Sequence, residues 1–155
     1  MRAAAAIVLA TAMVVACADR PGGDPNRMTA PMRAADVARE IEVAQAVTPL
    51  PRGAAWKPIE LDPNGSYGEL SGLSMVEFQA LCAWLIEANA ASASNDVERL
   101  RDARSILGTV PSWRSFSDPV MTVPDFRALI LRVVRSAASD DTADAESFTA
   151  ANCAQ

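Results

Sequence analysis

From Phe126 to Ala137 the chain places Phe126, Leu129, Ile130, Val133, Val134 and Ala137 three and four residues apart. That spacing aligns side chains along one face of an α-helix. No segment shows sustained alternation of apolar and polar residues, which is the signal a half-buried strand would leave, so the fold class is all-α. The helical spacing returns from Ser74 to about Ala91 through Phe78, Leu81, Cys82, Leu85 and Ala88, and Met75, Trp84 and Ile86 widen the apolar arc. A helix with so wide an arc must be gripped from more than one side, which predicts a central position. Ser74 and Glu77 stand at the spacing of a capping box, where hydroxyl and carboxylate each satisfy a free backbone N–H at a helix start. On that reading Glu77→Gln, which still caps, is nearly silent.

The remaining elements are shorter. Asn95 with Glu98 opens a helix to about Leu107, with Val97, Leu100 and Leu107 on its stripe and Gly108 and Pro111 as its stop. Thr122-Val123-Pro124-Asp125 opens the amphipathic helix with proline in its first turn. A last helix from about Thr142 to Asn152 presents Ala145 and Phe148 and carries Cys153 just past its end. Upstream, Ala34 to Val47 sets Val37, Ile41 and Ala44 on one stripe and ends before Pro49. Four prolines from Pro49 to Pro63 exclude a long helix there and predict an extended strap with Trp56, Ile59 and Leu61 to bury. The expected architecture is a compact all-α bundle of about four short helices with a Pro-rich strap, one domain over residues 34–155 with its core in 74–153.

The amino terminus bears on location. Met1-Arg2 leads into an apolar run from Ala3 to Val15 that closes on Val14-Val15-Ala16-Cys17. A charged start, a short apolar stretch and small residues at the exit suit a signal peptidase, and the run is shorter than the roughly 20 apolar residues of a spanning helix. Val14-Val15-Ala16-Cys17 resembles a bacterial lipobox. The resemblance implies that residues 1–16 are a signal peptide, that Cys17 becomes the N-terminus and carries diacylglycerol, and that the protein is anchored to a membrane on its extracytoplasmic face. Ala16-Cys17-Ala18 also fits an ordinary secretory cut before Asp19, which would make the protein secreted. Residues 17–33 hold proline, glycine and charge without an apolar period, as a flexible tether would. With Cys17 claimed by lipid, Cys82 and Cys153 remain as an even pair in an oxidising space, which predicts one disulfide, the alternative being two buried free thiols.

Charge and composition narrow the chemistry. Without Arg2, 13 of the 14 basic side chains face 19 acidic ones, so nucleic acid is not an expected partner. The chain has no histidine, which removes the commonest general base, Ser-His triads and most zinc sites. An enzyme built on this chain would have to use carboxylates. Glu77 invites comparison with single-glutamate enzymes that cleave cell-wall glycans, but capping already accounts for it. Asp62, Asn64 and Ser66 mimic part of a calcium loop, yet Tyr67 stands where glycine is required and Leu73 where the bidentate acid belongs. Asp140, Asp141, Asp144 and Glu146 follow a helix bearing Arg127, Arg132 and Arg135, a charge order that helix dipoles favour without a metal.

Trp56, Tyr67, Trp113 and Phe116 fall in connections, where an aromatic serves either as a core plug or as a contact for a partner. Trp56 and Trp113 are the candidate contact residues. No catalytic residue, metal or cofactor is assigned. The expected function is a lipid-anchored binding module of the cell envelope, with the membrane as one partner and an envelope protein or cell-wall component as another. The alternatives are a carboxylate-based glycan hydrolase and a structural envelope lipoprotein.

Overall fold

A computed structural model describes residues 31–119, 121–139 and 141–153, and the segments expected to form a signal peptide, a lipidated Cys17 and a tether up to residue 30 lie outside these. The fold is all-α. Helix α1 spans Ala34–Val47, α2 Ser71–Ala93, α3 Val97–Leu107, the four-residue α4 Arg114–Ser117, α5 Pro124–Ala138 and α6 Ala143–Asn152, with a 3₁₀ turn at Val110–Ser112 before α4. Among the described residues no helix is long and apolar enough to cross a membrane.

Helix α2 is central, as its wide apolar arc predicts, and it touches α1, α3, α4, α5 and α6. Its residues feed two apolar clusters. The larger one joins Leu81, Leu85 and Ala88 to Leu107, Val110 and Phe116 and to the α5 stripe of Ile130, Val133, Val134 and Ala137. The smaller one joins Val76 to Val37, Ile41 and Ala44 of α1, with Trp56, Ile59 and Leu61 of the strap packed against it. Met32 belongs to this second cluster, and its N–H donates to Tyr67 O at 2.8 Å, so the ordered packing begins inside the segment assigned to the tether.

Three local expectations are corrected. First, α2 is 23 residues long and starts at Ser71, so Ser74 lies within it and no Ser74–Glu77 capping box forms. Leu70 takes a left-handed conformation (φ 64°) at the cap position, and the side chain that reaches the helix start is Glu40 of α1, whose Oε2 accepts from Gly72 N at 2.9 Å. Second, α3 is capped by Asp96, whose Oδ1 accepts from Arg99 N at 3.1 Å, and not by Asn95. Asn95 (φ 54°) terminates α2 instead: its N–H reaches Ser92 O and the Asp96 N–H reaches Ala91 O, a Schellman arrangement. Third, the 3₁₀ turn and α4 occupy a stretch read as a plain connection. By contrast α1, α5 and α6 lie where their stripes place them.

Cys82 and Cys153 form a disulfide, with Cα atoms 5.2 Å apart, inside the usual range of about 4.4 to 6.8 Å. It joins the end of α6 to the middle of α2.

Candidate functional site

The strap runs antiparallel to α2. Trp84, buried on α2, donates its indole N–H to Pro49 O at 2.9 Å, which gives the ring nitrogen the partner a buried tryptophan needs. Five residues earlier on α2, the Gln79 side-chain amide pairs with the Lys57 backbone as a neighbouring strand would: Lys57 N donates to Oε1 at 3.1 Å and Nε2 donates to Lys57 O at 3.2 Å. These two tethers set the geometry between them. From Pro49 to Lys57 an extended chain would cover about 26 Å, whereas the helix from Gln79 to Trp84 rises only about 7.5 Å. The surplus chain must bow away from the helix. A turn closed by Ala54 N to Pro51 O at 3.0 Å takes up the slack, and Gly53 supplies the φ of 82° that its third position demands.

Beneath this bow lies a groove of about 640 Å³. Its floor is one face of α2, where Met75, Phe78, Cys82, Ala83 and Ile86 recur at helical spacing. Leu50, Ala54, Ala55 and Ile59 come from the strap, and Asn152 and the Cys82–Cys153 disulfide close one side. Phe78 is held from behind by an edge-on contact with Phe148 at 6.2 Å between ring centroids. Ile86 is 45% exposed at the open edge. The volume lies within the range of about 300 to 1,000 Å³ typical of small-molecule sites, and an apolar lining with few polar groups is what such sites share.

Among the described residues, three charged ones stand at the groove: Arg52 and Lys57 on the strap and Glu87 on α2. Glu87 is already engaged, since Arg99 Nε and Nη2 donate to its two oxygens at 2.7 and 2.8 Å. That paired hydrogen bond holds the Glu87 carboxyl below its ordinary value of 4.5 and raises Arg99 in turn. Among the described residues that line the groove, the one carboxylate is thus engaged.

The residues singled out from the sequence lie elsewhere. Trp56 is half-buried against the second cluster, and Trp113 is half-buried against the main core with its Nε1 donating to Thr109 Oγ1 at 3.0 Å. Neither lines the groove. Glu77 is 7% exposed and caps across the fold: its Oε1 accepts from Arg114 N at 3.2 Å and its Oε2 from Ser115 N at 2.7 Å, at the start of α4. Both oxygens are thus committed to the backbone. Asp62 makes a local turn, accepting from Asn64 N at 2.9 Å, with Tyr67 OH on its carbonyl at 3.1 Å. Of the acidic run, Asp144 pairs with Arg132 at 3.3 Å, and Asp140 lies outside the described residues.

Sequence reasoning missed the groove, although one signal for it was present. The apolar arc of α2 is wider than a single packing face needs, and Ile86 is the residue left over. Comparison with protein-family models, with curated proteins and with solved structures finds no match to this chain, so the groove's geometry alone carries the functional argument.

Proposed function

We propose that this protein is a lipid-anchored binding module of the cell envelope that works through the groove between the strap and α2. The observation that carries the binding role is the groove itself: an apolar helix face kept open by two hydrogen-bonded tethers, with cations at its mouth. Val14-Val15-Ala16-Cys17 supports the location. A tether from Cys17 to Met32 would let the domain sample the space next to the membrane while remaining attached to it. Attachment by two acyl chains is stable where one would be reversible.

Two measurements test the reading in cells. The parent protein should fractionate with membranes and take up a labelled fatty acid, and Cys17→Ser should do neither; an unlabelled parent overturns the anchor. A photoreactive amino acid at position 86 should give an adduct in intact cells that disappears when Ala83→Trp fills the floor. The same group at the exposed position 135 should give none. Equal labelling from positions 86 and 135 overturns the groove as the binding site.

A further inference from the structure

We infer that the Cys82–Cys153 disulfide is a thiol-exchange site that latches one wall of the groove, and that reduction by a dithiol opens that wall; its consequence for binding rests on the groove being the binding site. Both half-cystines line the groove, with Asn152 beside them. A cavity of about 640 Å³ admits a small dithiol. What the bond holds in place is short and lightly packed. Helix α6 has ten residues, too few to persist alone, and from Ala143 to Cys153 only Ala145, Phe148 and Cys153 are buried.

The two ends of α6 are held differently. Its first turn belongs to α5: Ala145 N donates to Ser136 Oγ at 3.2 Å, and Asp144 pairs with Arg132 at 3.3 Å. Its far end belongs to α2, through the disulfide and through Phe148, whose ring meets Phe78 edge-on at 6.2 Å between centroids. With the bond cut, the first turn stays on α5, and the part from about Phe148 to Cys153 swings away from α2. Reduction is favoured by whatever freedom the reduced chain gains. The released end gains that freedom for the loss of little buried surface, since Phe148 is the one large apolar side chain that leaves the core with it. Opening is therefore local, and the rest of the fold stays closed.

The exchange moves two electrons from the dithiol to the protein. A thiolate of the dithiol attacks one Sγ of the pair, so that a mixed disulfide forms, the Cys82–Cys153 bond breaks and the other cysteine leaves as a thiolate that takes up a proton. The second thiol of the dithiol then loses its proton and displaces the remaining cysteine, which is protonated in turn, and the dithiol ends as a disulfide. The effect on the groove is mechanical. Asn152 and Cys153 leave its wall, and Phe78 on its floor loses the ring behind it. The oxidised protein has a closed side at this point and the reduced protein an open one.

The test uses the full chain with Cys17→Ser, so that Cys82 and Cys153 supply the only thiols, and exposes it to dithiothreitol without denaturant. Alkylation followed by mass spectrometry counts the thiols released. Both should appear at a rate that rises in proportion to dithiothreitol and exceeds the rate of global unfolding measured in urea. In the reduced protein the amides of α2 and α5 should stay protected, while those from Phe148 onward in α6 exchange about tenfold faster or more. The NMR cross-peak between the Phe78 and Phe148 rings should vanish on reduction and return on reoxidation. Phe148→Ala, which removes the other hold on the latched end, should speed reduction by about tenfold or more. Should that variant fail to fold, Phe148→Leu should speed it by a smaller factor. Reduction no faster than global unfolding, a reduced form that keeps the ring contact, loss of protection in every helix, or equal reduction rates for the parent and a folded Phe148 variant overturns the latch. These readouts involve no ligand, so failure of the latch leaves labelling from position 86 as it is. Equal labelling from positions 86 and 135, by contrast, removes the binding role and leaves the exchange chemistry standing.

Discussion

Two glutamates on α2 show how burial decides what a carboxylate does. Glu77 lies inside and holds the first two N–H groups of α4, where the negative charge also meets the positive end of a helix. Glutamine at this position keeps one carbonyl oxygen and turns its NH₂ toward a second backbone donor, so Glu77→Gln is not silent. It should lower stability by about 1 to 2 kcal/mol, and Glu77→Ala by about 1.5 to 3 kcal/mol, measured by urea unfolding with the two circular dichroism spectra compared at zero denaturant. A Glu77→Gln midpoint equal to the parent's would return the residue to a surface-capping role. Glu87 lies at the groove edge, and its hydrogen bond from Arg99 pulls its carboxyl below 4.5. A carboxyl with a depressed folded value stabilises the protein above its unfolded value and loses that contribution as pH falls through the folded one. The stability gap between parent and Glu87→Gln should therefore be present at neutral pH, begin to narrow below about pH 4.5 and close in more acidic solution, as read from urea midpoints taken at a series of pH values.

At the scale of elements, what could be read from the chain was whatever a segment settles for itself. Helices α1, α5 and α6 each carry an apolar stripe, and α5 has Pro124 at its first position, so stripe and stop signals sufficed. The start of α2 was misplaced because its capping partner comes from another helix. Ser74 and Glu77 match the local pattern, but Glu40 takes the cap of α2 and Glu77 takes that of α4, and no local rule foresees an exchange across more than 30 residues. Helix α4 is a single turn and leaves no period to detect. The groove was out of reach for the same reason, since it depends on the strap from Pro49 to Lys57 lying against Gln79 to Trp84 of a helix that follows it. The close passage of α1 over α2 gives a test. A Cβ at Gly72 would stand 2.8 Å from Val37 O, a backbone atom that cannot rotate aside. Gly72→Ala should gain helix propensity yet destabilise by about 1 to 3 kcal/mol, because overpacking between two backbones outweighs the propensity of one residue. Thermal melting decides the sign, and a stabilised variant would mean that α1 is not seated on α2 at this point.

For the whole molecule, α2 is a hub with an apolar cluster on either side, and the disulfide determines how firmly the last helix belongs to it. Helix α6 has ten residues, too few to be stable alone, and it buries only Ala145 and Phe148. The Cys82–Cys153 bond closes a sequence separation of 71 residues, which in the chain-entropy model stabilises the fold by about 4 kcal/mol. Because Cys82 lies in the middle of α2 and Cys153 just beyond α6, the bond also sets the wall of the groove beside Phe78, whose ring rests on Phe148. Removing it with Cys82→Ser and Cys153→Ser together avoids leaving one reactive thiol. The double variant should unfold at a markedly lower urea concentration than the oxidised parent, by an amount equivalent to about 4 kcal/mol less any relief of native strain. Hydrogen exchange should locate the loss. Amides of α6 exchange faster by local opening, while those of α1 and the α1-facing turns of α2, which belong to the other cluster, slow or hasten only with global stability. Uniform loss of protection across all helices would mean instead that α6 and the two clusters unfold as one unit, with the disulfide acting on the unfolded chain alone.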